Sequence, residues 1–303
     1  MSLFSRGLNA AQWKGLEAQR DAPGPNWFTD LLKLWKPSGE AAGPDGLRLA
    51  IRNGYLNFYR RGQSIAEIGF GQVRAGRQHP WMKISARYVE DRQVDPTYRK
   101  FGIGHEAYGG MDYLSQWIVN SAYKHGAEKW GVDEVVGNNA GVIDLEMGIP
   151  GEALRVDIVA LEPSAEGPRL VLWEAKPLDA PALRSRAAKA GIYKQMQAYK
   201  EFIADHPGVI ESAYKVHCAA LVRLAEWAGK SACLSPLVAQ AQSSLTVDPA
   251  VGLVLFKGVY ALPCGQRELR AYPSGWEKHR AALGDIRLRE AEDPAEVVLY
   301  EGP

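Results

Sequence analysis

Two acidic residues set inside apolar, strand-forming runs constrain this chain more than any other feature. In Leu154-Arg155-Val156-Asp157-Ile158-Val159, alternation places Val156 and Ile158 on one face of a strand and Asp157 on the other. A carboxylate in so apolar a run needs a partner, because an unpaired buried charge is costly. The next run, Leu170-Val171-Leu172-Trp173-Glu174-Ala175-Lys176, puts Glu174 and Lys176 two residues apart and therefore on one face. Pro163 to Pro168 reads as the turn between the runs, so Asp157 and Glu174 converge if the strands pair as a hairpin.

Two converging carboxylates repel unless a cation lies between them. Oxygen donors of this type suit Mg²⁺ or Mn²⁺. Such an ion polarises a phosphoryl oxygen and acidifies a bound water. Lys176 would orient or help deprotonate that water, or stabilise charge on a phosphate. The competing reading is a cross-strand salt-bridge cluster on a solvated sheet face.

A chain of 303 residues, 46% hydrophobic and 10% aromatic, has the composition of an ordinary folded protein. Its formal charge of +1 gives no global basic excess, so any phosphate-binding surface must be local. Cys218, Cys233 and Cys264 lack metal-type spacing and are odd in number, which suggests reduced thiols and a cytoplasmic protein. The amino-terminal residues lack the apolar core of a secretion signal, and no run approaches 18 apolar residues, so no membrane association is expected. The six histidines have no HxH or HxxxH spacing that would favour zinc, and no P-loop or dinucleotide fingerprint occurs.

Along the chain, Trp27 to Trp35 has helical spacing and the Pro- and Gly-rich stretch from Lys36 to Gly46 reads as a linker. Leu47 to Ile51, Tyr55 to Tyr59, Ser64 to Phe70 and Trp81 to Val89 predict an antiparallel sheet of about four strands, with Asn53-Gly54 as a type I′ turn. Met111 to Lys129 predicts one helix of about five turns. Gly141 to Met147, Ala153 to Leu161 and Arg169 to Ala175 predict strands. A long helix follows from Ala180 to Asp205, capped by Asp179. Val216 to Arg223 and Val251 to Phe256 read as buried strands, with helix between them near Ser235 to Ser243. A helix near Trp276 to Ala282 and an edge strand at Glu296 to Tyr300 complete the tail. The resulting expectation is an α/β fold in two domains. Residues 1–108 form an antiparallel β-rich domain with a helical lead, and residues 109–303 form a mixed sheet flanked by helices.

An acid on one strand, then Glu174-Ala175-Lys176 at the end of the next, with Gln195-Met-Gln-Ala-Tyr199 on the following helix, resembles the PD-(D/E)XK nuclease superfamily. The last motif is similar to the Q-x-x-x-Y of its RecB-like and lambda-exonuclease-like branch. The resemblance covers about residues 109–225. It implies a restriction-endonuclease-like core and cation-dependent cleavage of nucleic acid, DNA more than RNA, with Asp157, Glu174 and Lys176 catalytic. It implies that Asp157, Glu174 and the Ala175 backbone carbonyl hold Mg²⁺ or Mn²⁺. Asp112, on the helix before the sheet, would complete the metal shell, with Glu146 as a rival acid. Gln195 and Tyr199 would support the site and contact substrate phosphate.

The alternative is a nuclease-like scaffold that binds nucleic acid or a protein partner, or a second copy of the chain, without cutting. Arg184, Arg186, Lys189, Lys194 and Lys200 could follow a phosphate backbone or simply form a solvated helix face. Arg48, Arg52, Arg60, Arg61, Arg74 and Arg77 of the meander read first as the exposed face of a sheet. With Tyr55, Tyr59 and Trp81 they offer a nucleic-acid platform as the second reading.

Overall fold

A computed structural model describes residues 4–89, 98–121, 127–151, 153–178, 180–183, 191–257, 259–261, 267–269, 280, 283 and 286–300. The architecture is mixed α/β, with one antiparallel sheet and one mixed sheet flanked by helices. Two helices lead the chain, α1 (Ala10–Arg20) and α2 (Trp27–Leu34). Each starts on an asparagine. The Asn9 side chain accepts from the Gln12 N–H in a capping box, and the Asn26 side chain accepts from the Phe28 and Thr29 N–H groups.

The antiparallel sheet is a five-stranded meander: β1 (Arg48–Ile51), β2 (Leu56–Arg60), β3 (Gln63–Arg74), β4 (Arg77–Ser85) and β5 (Tyr98–Gly102). The β1–β2 connection spans four residues, with Ile51 paired to Leu56, so Asn53-Gly54 is not a two-residue turn. The tight turns are Arg61-Gly62 and Ala75-Gly76, whose four residues all have positive φ, as a type I′ turn requires. A short helix, α3 (Ala86–Val89), follows β4.

Two helices occupy the region read as one: α4 (Met111–Ser121) and α5 (Ala127–Asn138). The mixed sheet then forms from β6 (Val142–Gly148), β7 (Arg155–Ser164) and β8 (Gly167–Pro177), with β7 antiparallel to both of its neighbours. After α6 (Gly191–Asp205), α7 (Pro207–Ala228), α8 (Pro236–Gln240) and the short β9 (Thr246–Val247), the chain returns as β10 (Gly252–Phe256), parallel to β8. A small ribbon, β11 (Val259–Ala261) with β12 (Arg267–Leu269), precedes β13 (Arg287–Ala291), which lies parallel to β10 at the sheet edge. Sheet order is β13-β10-β8-β7-β6. Among the described residues, no helix is long and apolar enough to cross a membrane.

Three expectations are corrected. Val216 to Arg223 is helical, inside α7. Its buried side chains are Ile210, Ala213, Tyr214, His217, Cys218, Ala220, Leu221, Leu224 and Ala225, a period of three to four residues, and Val216 is exposed. The short apolar run hides that period, which emerges only over a longer window. Glu296 to Tyr300 is irregular, and the edge strand is β13 instead. The tail is held by the Asn138 and Asn139 amides, which donate to the Val297 carbonyl. Of the helix expected over Ala180 to Asp205, Pro181–Leu183 form a single 3₁₀ turn and α6 begins at Gly191. Asp179, Arg184, Arg186, Lys189, Cys264 and most of the predicted helix at Trp276 to Ala282 lie outside the described residues.

Buried side chains are continuous across the boundary expected at residue 108. One continuous cluster of buried side chains runs from Phe4 and Phe28 through Phe58 and Met82 of the meander to Leu172, Tyr199 and Leu253 of the mixed sheet and its helices. Of the meander arginines expected at the surface, Arg74 and Arg77 are exposed, but Arg48, Arg52 and Arg60 are buried. Arg48 pairs with Asp133 of α5 at 3.0 Å, and Arg52 pairs with Asp144 of β6. Asp144 also accepts from the Tyr214 hydroxyl at 3.0 Å and the Leu145 N–H at 2.8 Å, with Arg6 Nε 3.4 Å away. These cations holding Asp144 keep its carboxyl below the usual range despite the opposing effect of burial.

The second core lies between α5 and the mixed sheet, where Val132, Val135 and Val136 meet Ile158, Trp173, Val254 and Phe256. Gly131 is the point of closest approach, because a Cβ there would lie 2.3 Å from two atoms of the Phe256 ring. An alanine in a helix interior ordinarily gains about 1 kcal/mol over glycine. Overpacking costs about 1–3 kcal/mol and wins here. Gly131→Ala is therefore expected to destabilise the protein in urea denaturation, and Phe256→Leu alongside it to restore part of the loss. Equal or higher stability of Gly131→Ala would show that α5 is not seated this tightly.

Candidate active site

β7 and β8 pair from Ser164 and Gly167 back to Ile158 and Trp173. From Trp173 onward β8 pairs with β10 instead. Where the hairpin opens, the Asp157 carboxylate takes the place of a backbone acceptor, and the Ala175 N–H donates to Asp157 Oδ2 at 2.9 Å. Glu174 and Lys176 project from the same stretch of β8. Lys176 Nζ lies 2.7 Å from Glu174 Oε1 and 3.6 Å from Asp157 Oδ2.

A third carboxylate joins them. Lys176 Nζ donates to Glu128 Oε1 at 2.6 Å, from the first turn of α5. Sequence reading does not single out Glu128. Its signal is weak, because α5 has two glycines and several β-branched valines, and its place over β8 depends on the Gly131–Phe256 approach.

Gln195 and Tyr199 stand at i and i+4 on α6, and both turn toward Glu174. Gln195 Nε2 donates to Glu174 Oε1 at 3.1 Å. The Tyr199 hydroxyl lies 2.5 Å from Glu174 Oε2 and 2.5 Å from the Arg155 carbonyl oxygen, and donates to one of them at a time. The pair therefore fixes both oxygens of Glu174. Burial, then the neighbouring Glu174 and Asp157 charges, push the tyrosine hydroxyl pKa upward.

The two other acids considered lie elsewhere. Asp112 is exposed in the first turn of α4, away from the carboxylates that act on Lys176, which are Asp157, Glu174 and Glu128. Local pattern favoured it, but the acid that packing brings to Lys176 is Glu128. Glu146 has φ 51° and lies 3.7 Å from Arg155 Nη1, lining a neighbouring cleft. Among the described residues, no three acidic, histidine or cysteine side chains are grouped closely enough to hold a metal ion unaided.

Electrostatics decide what this cluster can do. Burial, and then Glu174, raise the Asp157 carboxyl well above its ordinary pKa, against the opposing effects of Lys176 and the Ala175 N–H. Burial likewise raises Glu174, although Lys176, Gln195 and Tyr199 surround it. The three carboxylates hold Lys176 firmly protonated, its pKa raised despite burial. The lysine alone does not offset the cost of the two buried acids. Hard oxygen donors short of positive charge fit a small divalent cation.

The sign of the pH dependence follows from these shifts. A carboxyl raised in the folded state leaves stability intact below its unfolded pKa of about 4 and lowers it as pH climbs through the folded value. His217 acts the opposite way. Buried on α7, with Nε2 2.8 Å from the Ile143 carbonyl oxygen, it is held neutral down to about 4, and stability is lost as pH falls below about 6.5. The His217 contribution is common to protein with and without cation and cancels in the difference. Thermal denaturation with a chelator and with Mn²⁺ should therefore give melting curves whose separation widens from pH 5 to pH 8. No separation at pH 8 would mean that these carboxylates hold no cation.

Compared with family models, with curated proteins and with solved structures, the chain gave no match.

Proposed function

We propose that the protein is a divalent-cation-dependent nuclease, built on a restriction-endonuclease-like core of the PD-(D/E)XK type and acting on DNA in preference to RNA. One observation carries this reading: Asp157, Glu174 and Glu128 converge on Lys176 at the open end of a hairpin, while Gln195 and Tyr199 hold Glu174 in place. A surface salt-bridge cluster has no need of burial. Here the Glu174 side chain is 1% exposed and its charge is supported from two elements.

Asp157 and Glu174, with the Ala175 carbonyl, would hold Mg²⁺ or Mn²⁺. When bound, the ion lowers the pKa of a water and draws charge from the scissile phosphate. Lys176 then stabilises negative charge developing on that phosphate, as a donor already in position. Glu128 holds the lysine charged and aimed. Gln195 and Tyr199 prevent Glu174 from rotating away, so the site needs little reorganisation in the transition state.

The test is incubation of the full chain with linear and circular DNA and with RNA, each with Mg²⁺, Mn²⁺ or a chelator. Cation-dependent loss of intact strands is the expected result, and cleavage that persists in chelator would overturn the assignment. Binding without cleavage under every cation would favour a nuclease-like scaffold that holds nucleic acid or a protein partner.

A further inference from the structure

The antiparallel and mixed sheets face each other across an open cleft of about 780 Å³, lined by β2, β3, β4 and α3 on one side and by α5, β6 and β7 on the other. It adjoins the carboxylate cluster at two points. Lys129 follows Glu128 on α5. Arg155 stands two residues before Asp157 on β7, and its carbonyl oxygen lies 2.5 Å from the Tyr199 hydroxyl.

The chain as a whole is nearly neutral, but this cleft is not. Arg6, Arg52, Lys83, Arg87, Lys129 and Arg155 line it, against two acids, Glu67 and Glu146. Asp144, behind the wall, offsets one of these charges. Arg87 and Lys129 have no carboxylate partner among the described residues. Arg87 bonds the Tyr88 hydroxyl, and Lys129 the Gly62 carbonyl. Arg6 is 6% exposed, with its Nε 3.4 Å from Asp144, so its charge is already matched within the wall. Tyrosine rings complete the lining. Tyr98 is 51% exposed, with Lys83 Nζ over one face 4.8 Å from the ring centroid, and Tyr55 is half-buried, which leaves ring surface for stacking.

We infer that this cleft binds a single nucleic-acid strand, with its phosphates on Arg87 and Lys129 and bases against Tyr55 and Tyr98, and leads that strand to the Asp157–Glu174–Lys176 site. The inference rests on the nuclease reading for the fate of the strand, and on the cleft alone for its binding. Cations tracking phosphate and rings stacking on bases are the two elements by which single strands are held without base-specific readout.

The test measures binding separately from cleavage. Fluorescence anisotropy of the full chain in chelator follows labelled oligo-dT and oligo-rU of about 12 nucleotides, within the ~4–16 nucleotide span of such sites, and a labelled duplex of the same length. Either single strand is expected to bind at least about tenfold tighter than the duplex, because only unpaired bases offer free faces to the tyrosine rings. Arg87→Gln with Lys129→Gln should weaken strand binding about tenfold or more and reduce the salt slope by about 1.4, or ~0.7 for each phosphate no longer neutralised. Tyr98→Ala and Tyr55→Ala should each weaken it about fivefold or more. Arg87 is exposed and Lys129 half-buried, and circular dichroism would verify that the double variant folds.

Equal affinity for duplex, or strand binding untouched by the double variant, overturns the inference. Wild-type cleavage alongside such insensitivity leaves the nuclease reading standing without it. Cleft-dependent binding with no cleavage under any cation does the reverse.

Discussion

Asp157→Asn and Lys176→Ala are expected to lower cation-dependent cleavage by about 10²–10³-fold or more, yet to move stability in opposite directions. Asp157→Asn removes one of two buried carboxylates that repel, and its amide oxygen can still accept from the Ala175 N–H. The cation-free variant should melt at or above the wild-type temperature, and its response to Mn²⁺ should shrink. Lys176→Ala leaves Glu174 and Asp157 buried without their ammonium partner. Removing one member of a buried charge set costs about 3–5 kcal/mol, so this variant should melt well below wild type. Single-turnover cleavage at a temperature where both variants are folded, with melting followed by circular dichroism, checks the pair. Cleavage by Asp157→Asn at the wild-type rate would remove Asp157 from the reaction.

The largest loss of stability without a role at the carboxylate cluster is expected from Asp144→Ala. Asp144 joins the two sheets: Arg52 reaches it from beyond β1, Arg6 from the amino-terminal segment and Tyr214 from α7. Arg52 also donates to the Leu145 carbonyl. Without the carboxylate, two buried guanidinium groups lose their counter-charge and the Tyr214 hydroxyl loses its acceptor. A loss of about 3–5 kcal/mol is expected, a large share of the ~5–15 kcal/mol that typically holds a folded chain. Urea denaturation measures it. A loss below about 1 kcal/mol would mean that water reaches the cluster and screens it.

Much of the candidate site was legible because its parts are close in sequence and joined by local elements. Asp157, Glu174 and Lys176 lie on one hairpin, and Gln195 and Tyr199 share one face of the next helix. Strand alternation and helical spacing place such residues before any long-range contact forms. Glu128 was not legible, because nothing local distinguishes it from Asp112. Both are acids in a first helical turn, and only the packing of α5 against β10 selects between them. Arg48 and Arg52 misled for a related reason. A charged residue in a strand reads as exposed, and the partners that make burial tolerable for Arg48 and Arg52 are 85 and 92 residues away.

By itself the sequence determined an antiparallel meander, though not its fifth strand, the hairpin with its two acids and lysine, and the helix motif that faces Glu174. These follow from periods of two and of three to four residues, which are properties of neighbouring positions. Tertiary structure alone decided that both sheets share one core, that Val216 to Arg223 is helix, that Glu128 is the third carboxylate on Lys176, and that a cationic cleft adjoins the site. Each of these depends on which distant surfaces exclude water from one another, and local periodicity carries no record of that.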